Sequence, residues 1–444
     1  MDYRLRKLRV ALWIMGLGTL VALVWHGWQG WGLGRDYPHN TYLYVHQSHY
    51  TDFTGVVEQS AFRCPYAHEF AFYFPATYVM FQPFVWLREQ PSLWLYLLVT
   101  LLGTILIQRY ILQSIVTDPL RRIGAALLLT GSSYAVVFSF DRANVELAMA
   151  LLVGAALLLC RRLHFGWAVL LVSITICLKL YTILLLALFI RRHHFRYLLL
   201  PAVGCLAVSV LSLLTFSRPI GECLVLWRHN LASYHFLYMV ADRGLAGSAS
   251  PWNLVKIVFL TADHLGLINL HLHPLPNGDH YSDFFTMLSP YYNSLFLALL
   301  VALVLFVTLI EREFFRRAVL LLLAISICAQ AGADYKLLWV NVALLLLIVL
   351  PTRRRLDLAV VVLMALAMVP KKEILLTYLG QTDTTYNDVS MGVVLNPLLI
   401  LTAILLLVYD SWQVRLPGWA TRRCSGMFRQ FMDLSPWRGK RMRA

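Results

Sequence analysis

Long apolar runs alternate with short clusters of Arg and Lys along almost the whole 444-residue chain. A bilayer core about 30 Å thick takes roughly 20 apolar residues of helix. Runs of this kind occupy 10–27, 92–109, 195–216, 291–310, 356–370 and 393–410. Three longer stretches carry Arg at both ends and a polar break between. Arg121-Arg122 to Arg161-Arg162 breaks around Asp141-Arg142-Ala143-Asn144, and Arg161-Arg162 to Arg191-Arg192 breaks around Lys179. The third, Arg316-Arg317 to Arg353-Arg354-Arg355, breaks around Gly332-Ala333-Asp334-Tyr335-Lys336. A single crossing would strand one Arg cluster of each stretch on the outer face, against the positive-inside bias, so each is predicted to be a helical hairpin. The arms beside Lys179, Phe165–Cys177 and Leu180–Ile190, each reach only about two thirds of the core at 1.5 Å per residue. A thinned or re-entrant pair fits there. A single tilted helix through 165–190 is the alternative, and it would invert every later segment.

The pattern therefore predicts an all-α, polytopic integral membrane protein of about twelve segments, with both termini cytoplasmic. It divides into an N-terminal module, 1–216, with a first external loop over 28–91; an external loop, 217–290; C-terminal helices, 291–414; and a basic cytoplasmic tail, 415–444. Arg4, Arg6, Lys7 and Arg9 precede an apolar run from Val10 to Trp25, which resembles a signal peptide. His26-Gly27-Trp28-Gln29 is no cleavage site, so the run is expected to be an uncleaved first span. The long loop, rich in His, Pro, Asn and Gly, is expected to hold a short amphipathic helix near Trp252–Leu265 on the membrane surface.

Composition agrees: 59% hydrophobic and 14% charged residues are more apolar surface than a water-soluble fold can bury. The formal charge of +15 comes in clusters between apolar runs rather than as a basic stripe, which orients a membrane protein and argues against nucleic acid as a partner. The seven cysteines form no CxxC pair or zinc spacing. Cys64 and Cys223 both fall in segments expected outside the membrane, where a disulfide and two unpaired thiols are both open. Leu270-His271-Leu272-His273 lacks the i, i+4 spacing of a helical ligand pair, so no metal is expected.

Chemistry is expected where polar residues collect at the external membrane boundary. The first loop carries Asp36, Asp52 in Ser48-His49-Tyr50-Thr51-Asp52-Phe53, and Glu58. A carboxylate just outside the bilayer can act as general base on an acceptor hydroxyl, although most such acids are simply solvated. Lys179 between two short apolar arms is costly unless it meets an anion or water, so it is a candidate for a phosphate; a snorkelling structural lysine is the other reading. Arg142 either contacts phosphate or pairs with Asp141, and Lys336 stands in the same relation to Asp334. Arg228, with Arg218 and His229, either completes an anion site or is solvated in the loop. Tyr73 and Tyr78 fit an interfacial aromatic belt, with sugar stacking as the alternative.

Four motifs in order resemble polyprenyl-phosphate-dependent glycosyltransferases of the GT-C class, and among them glycosyltransferase family 87, which includes mannosyltransferases. They are Asp52-Phe53 after the first span, Tyr73-Phe74-Pro75-Ala76-Thr77, Asp141-Arg142-Ala143-Asn144 opening a helix, and Leu178-Lys179-Leu180-Tyr181 at a hairpin tip. The family reads roughly Asp-Phe, Tyr-Pro-Pro, Arg-Gly-Asn or Arg-Gly-Gln, and Lys-x-x-Pro. Here Phe74-Pro75-Ala76 replaces the second core, Ala143 the glycine, and Thr182 a proline often found after the lysine motif. The resemblance covers about residues 10–215. It implies a GT-C-like helical arrangement in a bacterial inner membrane, with a polyprenyl-phosphate sugar as donor, a lipid or glycan as acceptor and no cofactor. It also implies that Asp52 is the catalytic base and that transfer inverts the donor's anomeric centre; independently of it, the residues themselves make Lys179, Arg142 and Lys336 candidates for the donor phosphate. Asp36, Glu58, Tyr73, Asp141, Tyr181 and Arg228 are candidate supporting residues.

Two other classes compete. A transporter or flippase of lipid-linked sugars would need ionisable residues near the bilayer midplane, where most runs here are free of charge. An O-antigen polymerase or ligase would rely on Arg and His of the long loop rather than on an acid of the first one.

Overall fold

The computed structural model describes residues 2–37, 39–43, 45–190, 196–246, 248–276, 279–328, 334–351, 354–371, 375–377 and 388–420. Arg191-Arg192, Gly332-Ala333, Arg353, much of the expected turn at 371–392 and the basic tail beyond 420 lie outside the described residues. The helices among the described residues, in chain order, are α1 (Tyr3–Gly27), α2 (Thr51–Ala61), α3 (Pro75–Trp86), α4 (Glu89–Leu112), α5 (Pro119–Gly131), α6 (Tyr134–Arg142), α7 (Val145–Arg161) and α8 (Phe165–Leu178). They continue as α9 (Arg196–Leu214), α10 (Ile220–His235), α11 (Pro251–His264), α12 (Asp283–Leu305), α13 (Phe314–Cys328), α14 (Leu338–Val349), α15 (Asp357–Ala367) and α16 (Met391–Ala420). Two small antiparallel ribbons pair His273 with Tyr281 and Leu375 with Ser390.

Five helical segments are long and apolar enough to cross a membrane: Tyr3–Gly32, Glu89–Leu112, Tyr197–Leu214, Asp283–Ile310 and Met391–Val414. A sixth is added if α5 and α6, bent by 66° at their junction, count as one span. Leu17, Leu20 and Val21 of α1 and Leu295, Leu297 and Leu299 of α12 are all more than half exposed, an apolar surface suited to hydrocarbon rather than water. The sequence pattern led to an expectation of about twelve segments, and the shortfall lies in short helices. Helix α8 has 14 residues, α13 has 15 and α14 has 12. Hydropathy cannot separate a helix that faces lipid from one enclosed by other helices, because both are apolar all round. Helices α13 and α14 are of the second kind: nearly every side chain from Arg316 to Ile348 in them is buried at the centre of the bundle.

The three polar breaks each fall between two helical elements. The first joins α6 to α7 through Ala143 and Asn144. The second is Lys179 between α8 and a 3-10 helix, Leu180–Leu188. That helix, at about 2.0 Å per residue, spans only about 18 Å, in line with the short arm expected. The third is the 3-10 turn Asp334–Leu337 before α14. At the opposite end lie the basic clusters: Arg162 donates to Tyr110, Arg122 to the Val116 carbonyl, and Lys7 of α1 to the carbonyls of Leu347 and Leu350. Helix α11 forms where an amphipathic helix was expected, but its Trp252 and Leu260 are buried against Met239, Val240, Phe285 and Val393.

Candidate active site

The first loop is drawn onto the α6–α7 tip by its backbone. Tyr50, in a left-handed conformation with φ of 61°, starts α2 and donates its N–H to the Asp141 carbonyl at 2.8 Å. This puts Asp52 in the first turn of α2, directly over the tip. Arg142 Nη2 donates to Asp52 Oδ1 at 2.5 Å, and Asn144 Nδ2 donates to Asp52 Oδ2 at 2.6 Å. Arg142 is itself fixed by the Ser48 carbonyl at 2.7 Å. Asp141, offered by the sequence as one of two alternatives for Arg142, meets His49. The Asp52 carboxylate is 17% exposed, so it is oriented at both oxygens but not sealed from an incoming hydroxyl.

Asn144 serves two purposes. Its Oδ1 caps α7 by accepting from the Glu146 N–H at 2.9 Å, while its Nδ2 grips Asp52. Glu146 is completely enclosed. Its Oε1 accepts from Lys179 Nζ at 3.0 Å and from the Tyr181 hydroxyl, while Oε2 has no hydrogen-bond partner among the described residues. Lys179 Nζ also stands over the Tyr73 ring at 5.2 Å and the Tyr335 ring at 5.1 Å, and Lys336 Nζ over the Tyr181 ring at 5.1 Å. Thr77 donates to the Leu178 carbonyl at 3.2 Å, so α3 holds the Lys179 tip in place. Thr182, at the position where the related motif often has a proline, donates to the Lys179 carbonyl at 3.0 Å and restrains the turn by a hydrogen bond instead of a ring. Tyr134 donates to Asp334 at 2.8 Å and joins the third tip to the first.

The Lys179 tip and the Asp334–Leu337 turn, with Phe72–Phe74 and α10, frame a cavity of about 640 Å³, in the size range of a ligand site. Its polar walls are Lys179, Lys336, Arg228, Tyr181, Tyr335 and His235, and among the described residues no carboxylate lines it. Phe72, Tyr73 and Tyr234 give it an aromatic side. The Tyr73 phenol is pushed well above its ordinary value, first by burial and then by the nearby Asp52 charge, so it stays a neutral donor. A wall of cations with a carboxylate beside it can hold a phosphoryl group while a hydroxyl loses its proton.

Of the expected residues, the structure thus brings together Asp52, Arg142, Lys179, Lys336, Tyr73, Asp141 and Tyr181, with exposed Arg228 at the cavity wall. Asp36 and Glu58 are exposed and take no part in these contacts. Arg218 pairs with Glu222 on the surface, and His229 is exposed. Sequence reasoning missed Glu146. Its signal was an acid two residues after a capping Asn, in a helix whose next charged residue is Arg161 at its far end.

The model of glycosyltransferase family 87 matches residues 70–331. That segment contains Tyr73, the α6–α7 tip, Glu146, Lys179, Tyr181 and Arg228, whereas Asp52 precedes it and Lys336 follows it. No curated protein and no solved structure matches the chain.

Proposed function

Because the chain belongs to glycosyltransferase family 87 and carries membrane-length helices, we propose that this transferase moves a hexose, mannose-like, from a polyprenyl-phosphate donor to a lipid or glycan acceptor. The reaction takes place on the external face of a bacterial inner membrane, with both termini cytoplasmic. The gathering of Arg122, Arg162, Arg316 and Arg354 at the end opposite the cavity supports that orientation.

The observation that carries the reading is the two-point grip on Asp52 by Arg142 and Asn144, beside a cavity walled by Lys179, Lys336 and Arg228. Asp52 accepts the proton of the acceptor hydroxyl, and the hydroxyl oxygen forms a bond to the donor's anomeric carbon. The bond from that carbon to the phosphate oxygen breaks, and polyprenyl phosphate leaves with the electron pair. Attack from the face opposite the phosphate inverts the centre. The phosphate gains a negative charge as it leaves, and Lys179 and Lys336 stabilise that charge where water is scarce. Lys179 is held ready by Glu146, which shares it with the incoming phosphate.

The test is to incubate purified protein with a panel of polyprenyl-phosphate sugars and measure polyprenyl phosphate. Wild type should release it from at least one donor, and Asp52→Asn, inserted and expressed normally, should release it on the order of 10³-fold more slowly. Full activity in Asp52→Asn would overturn the assignment of the base. Movement of the donor across the membrane without bond formation would replace transfer by transport.

A further inference from the structure

The wall of the cavity is backed by a second apolar cluster, and at its centre two thiols face each other. Cys64 stands just before the short 3-10 turn Pro65–Ala67 of the first loop, and Cys223 in the first turn of α10. They are 159 residues apart in sequence, both buried, and their Sγ atoms are 3.6 Å apart. Around them pack Tyr66, Tyr78, Leu213 and Trp227. The two segments are already matched by hydrogen bonds that leave little room for sliding. Asn230 Nδ2 reaches the carbonyls of Tyr66, His68 and Ala71, Trp227 Nε1 donates to the Phe72 carbonyl at 3.1 Å, and the Ser217 N–H donates to the Arg63 carbonyl at 2.9 Å. Closing the sulfur gap to a bond of about 2.05 Å takes about 1.5 Å of movement, within reach of small side-chain rotations.

We infer that Cys64 and Cys223 form a disulfide that staples the first loop to α10 behind the aromatic wall of the cavity. In forming it, the two thiols lose two protons and two electrons and gain one S–S bond. Both pass to the disulfide of a thiol–disulfide exchange protein, which leaves as a dithiol. The staple shares with the proposed function only the placement of this end of the bundle outside the cytoplasm. It holds Phe72 and Tyr73 against Tyr234 and Arg228, and it touches neither Asp52 nor Lys179, so its loss leaves the chemical step alone.

The experiment uses the full chain in native membranes, trapped with N-ethylmaleimide in denaturant without reductant, digested and read by mass spectrometry. The expected result is a linked peptide containing Cys64 and Cys223, two hydrogen masses lighter than the sum of its parts, with Cys177 and Cys205 both alkylated. In Cys223→Ser, Cys64 should become alkylated, and the thermal midpoint should fall by about 5 °C. Transferase activity at ambient temperature should change less than about twofold in that variant. Alkylation of both thiols in wild-type membranes, or a link from either to another cysteine, would overturn the staple. Neither result would bear on the transferase tests.

Discussion

Two buried ionic clusters sit at opposite ends of the bundle, and they are built differently. At the basic end, the Arg316 guanidinium is fully enclosed and donates to Asp357 at 2.5 Å and Asp410 at 2.6 Å. Arg354 bridges to Glu311, which also takes the Ser411 hydroxyl. Four carboxylates there, Glu311, Glu313, Asp357 and Asp410, meet the Arg316 and Arg354 guanidiniums, and the charges tie α13, α15 and α16 together. At the site end, the cations outnumber the acids that hold them and line a cavity that no carboxylate among the described residues enters. A charged cluster closed on itself is a clasp, whereas one with surplus cations beside open volume is a binding site. The identity of the residues alone does not separate the two.

The sharpest break of that contrast is a double dissociation. Arg316→Leu leaves buried carboxylates without their partner, so the expected loss of stability is about 3–5 kcal/mol, read as loss of folded protein in a detergent melt. Asp52→Asn should keep the melt within about 1 kcal/mol of wild type yet cut transfer by on the order of 10³-fold. If Arg316→Leu melts normally and only activity falls, the basic cluster is not a clasp.

Lys336→Met tests the surplus charge more finely. Lys336 lines the cavity and stands over the Tyr181 ring with no carboxylate within ion-pair distance among the described residues. Its loss should lower kcat/KM by about 100-fold, about 2.7 kcal/mol, most of it in kcat because the phosphate charge grows as the bond breaks. An equal loss for donors with and without phosphate would contradict the assigned role.

The comparison also shows what the sequence could and could not reveal. The hairpin tips were legible because a charged residue between apolar arms is costly and so marks a turn or a partner, as at Asp141-Arg142, Lys179 and Lys336. The clasp was not, because its members lie as far apart as Arg316 and Asp410, 94 residues, and nothing local pairs them. Nor was the central position of α13 and α14, whose uniform apolarity says nothing about whether lipid or protein surrounds them. Glu146 fell between these cases, since the one acid in α7 was hidden by the hydropathy of the run around it.

A third cluster, in the long loop, behaves as a clasp with a pH dependence. Lys256 of α11 is completely buried and donates to the carbonyls of Tyr238 and Ala241, with Asp242 and Asp279 acting on it from a distance. Burial lowers its ammonium from 10.5 to about 7, and burial likewise raises the Asp242 carboxyl above its usual range. Below pH 7 Lys256 is charged in both folded and unfolded chains, and the cost of burying it is fully present. Between pH 7 and 10.5 the unfolded chain holds the proton and the folded one does not, so stability should rise with pH by up to about 1.4 kcal/mol per unit. Amide exchange over 236–285 should slow, after correction for intrinsic rates, as pH goes from 7 to 9, and Lys256→Met should flatten that trend. A wild-type trend as flat as the variant's would mean the lysine keeps its charge in the fold.

The smallest expected effect concerns the hinge of the site. Ala143 holds φ of 47° and ψ of 42°, a left-handed conformation in which a Cβ costs about 1–2 kcal/mol, and this explains why the related motif prefers glycine there. The alanine methyl is fully buried, and burying it returns about 0.8 kcal/mol. Ala143→Gly should therefore change stability by no more than about 1 kcal/mol and transfer by less than about twofold. Ala143→Val puts a β-branched side chain in the same conformation and should shift Arg142 and Asn144 off Asp52, costing about tenfold or more in transfer. If valine is tolerated as well as glycine, the backbone at this tip does not set the orientation of Asp52, and the grip on its carboxylate comes from the side chains alone.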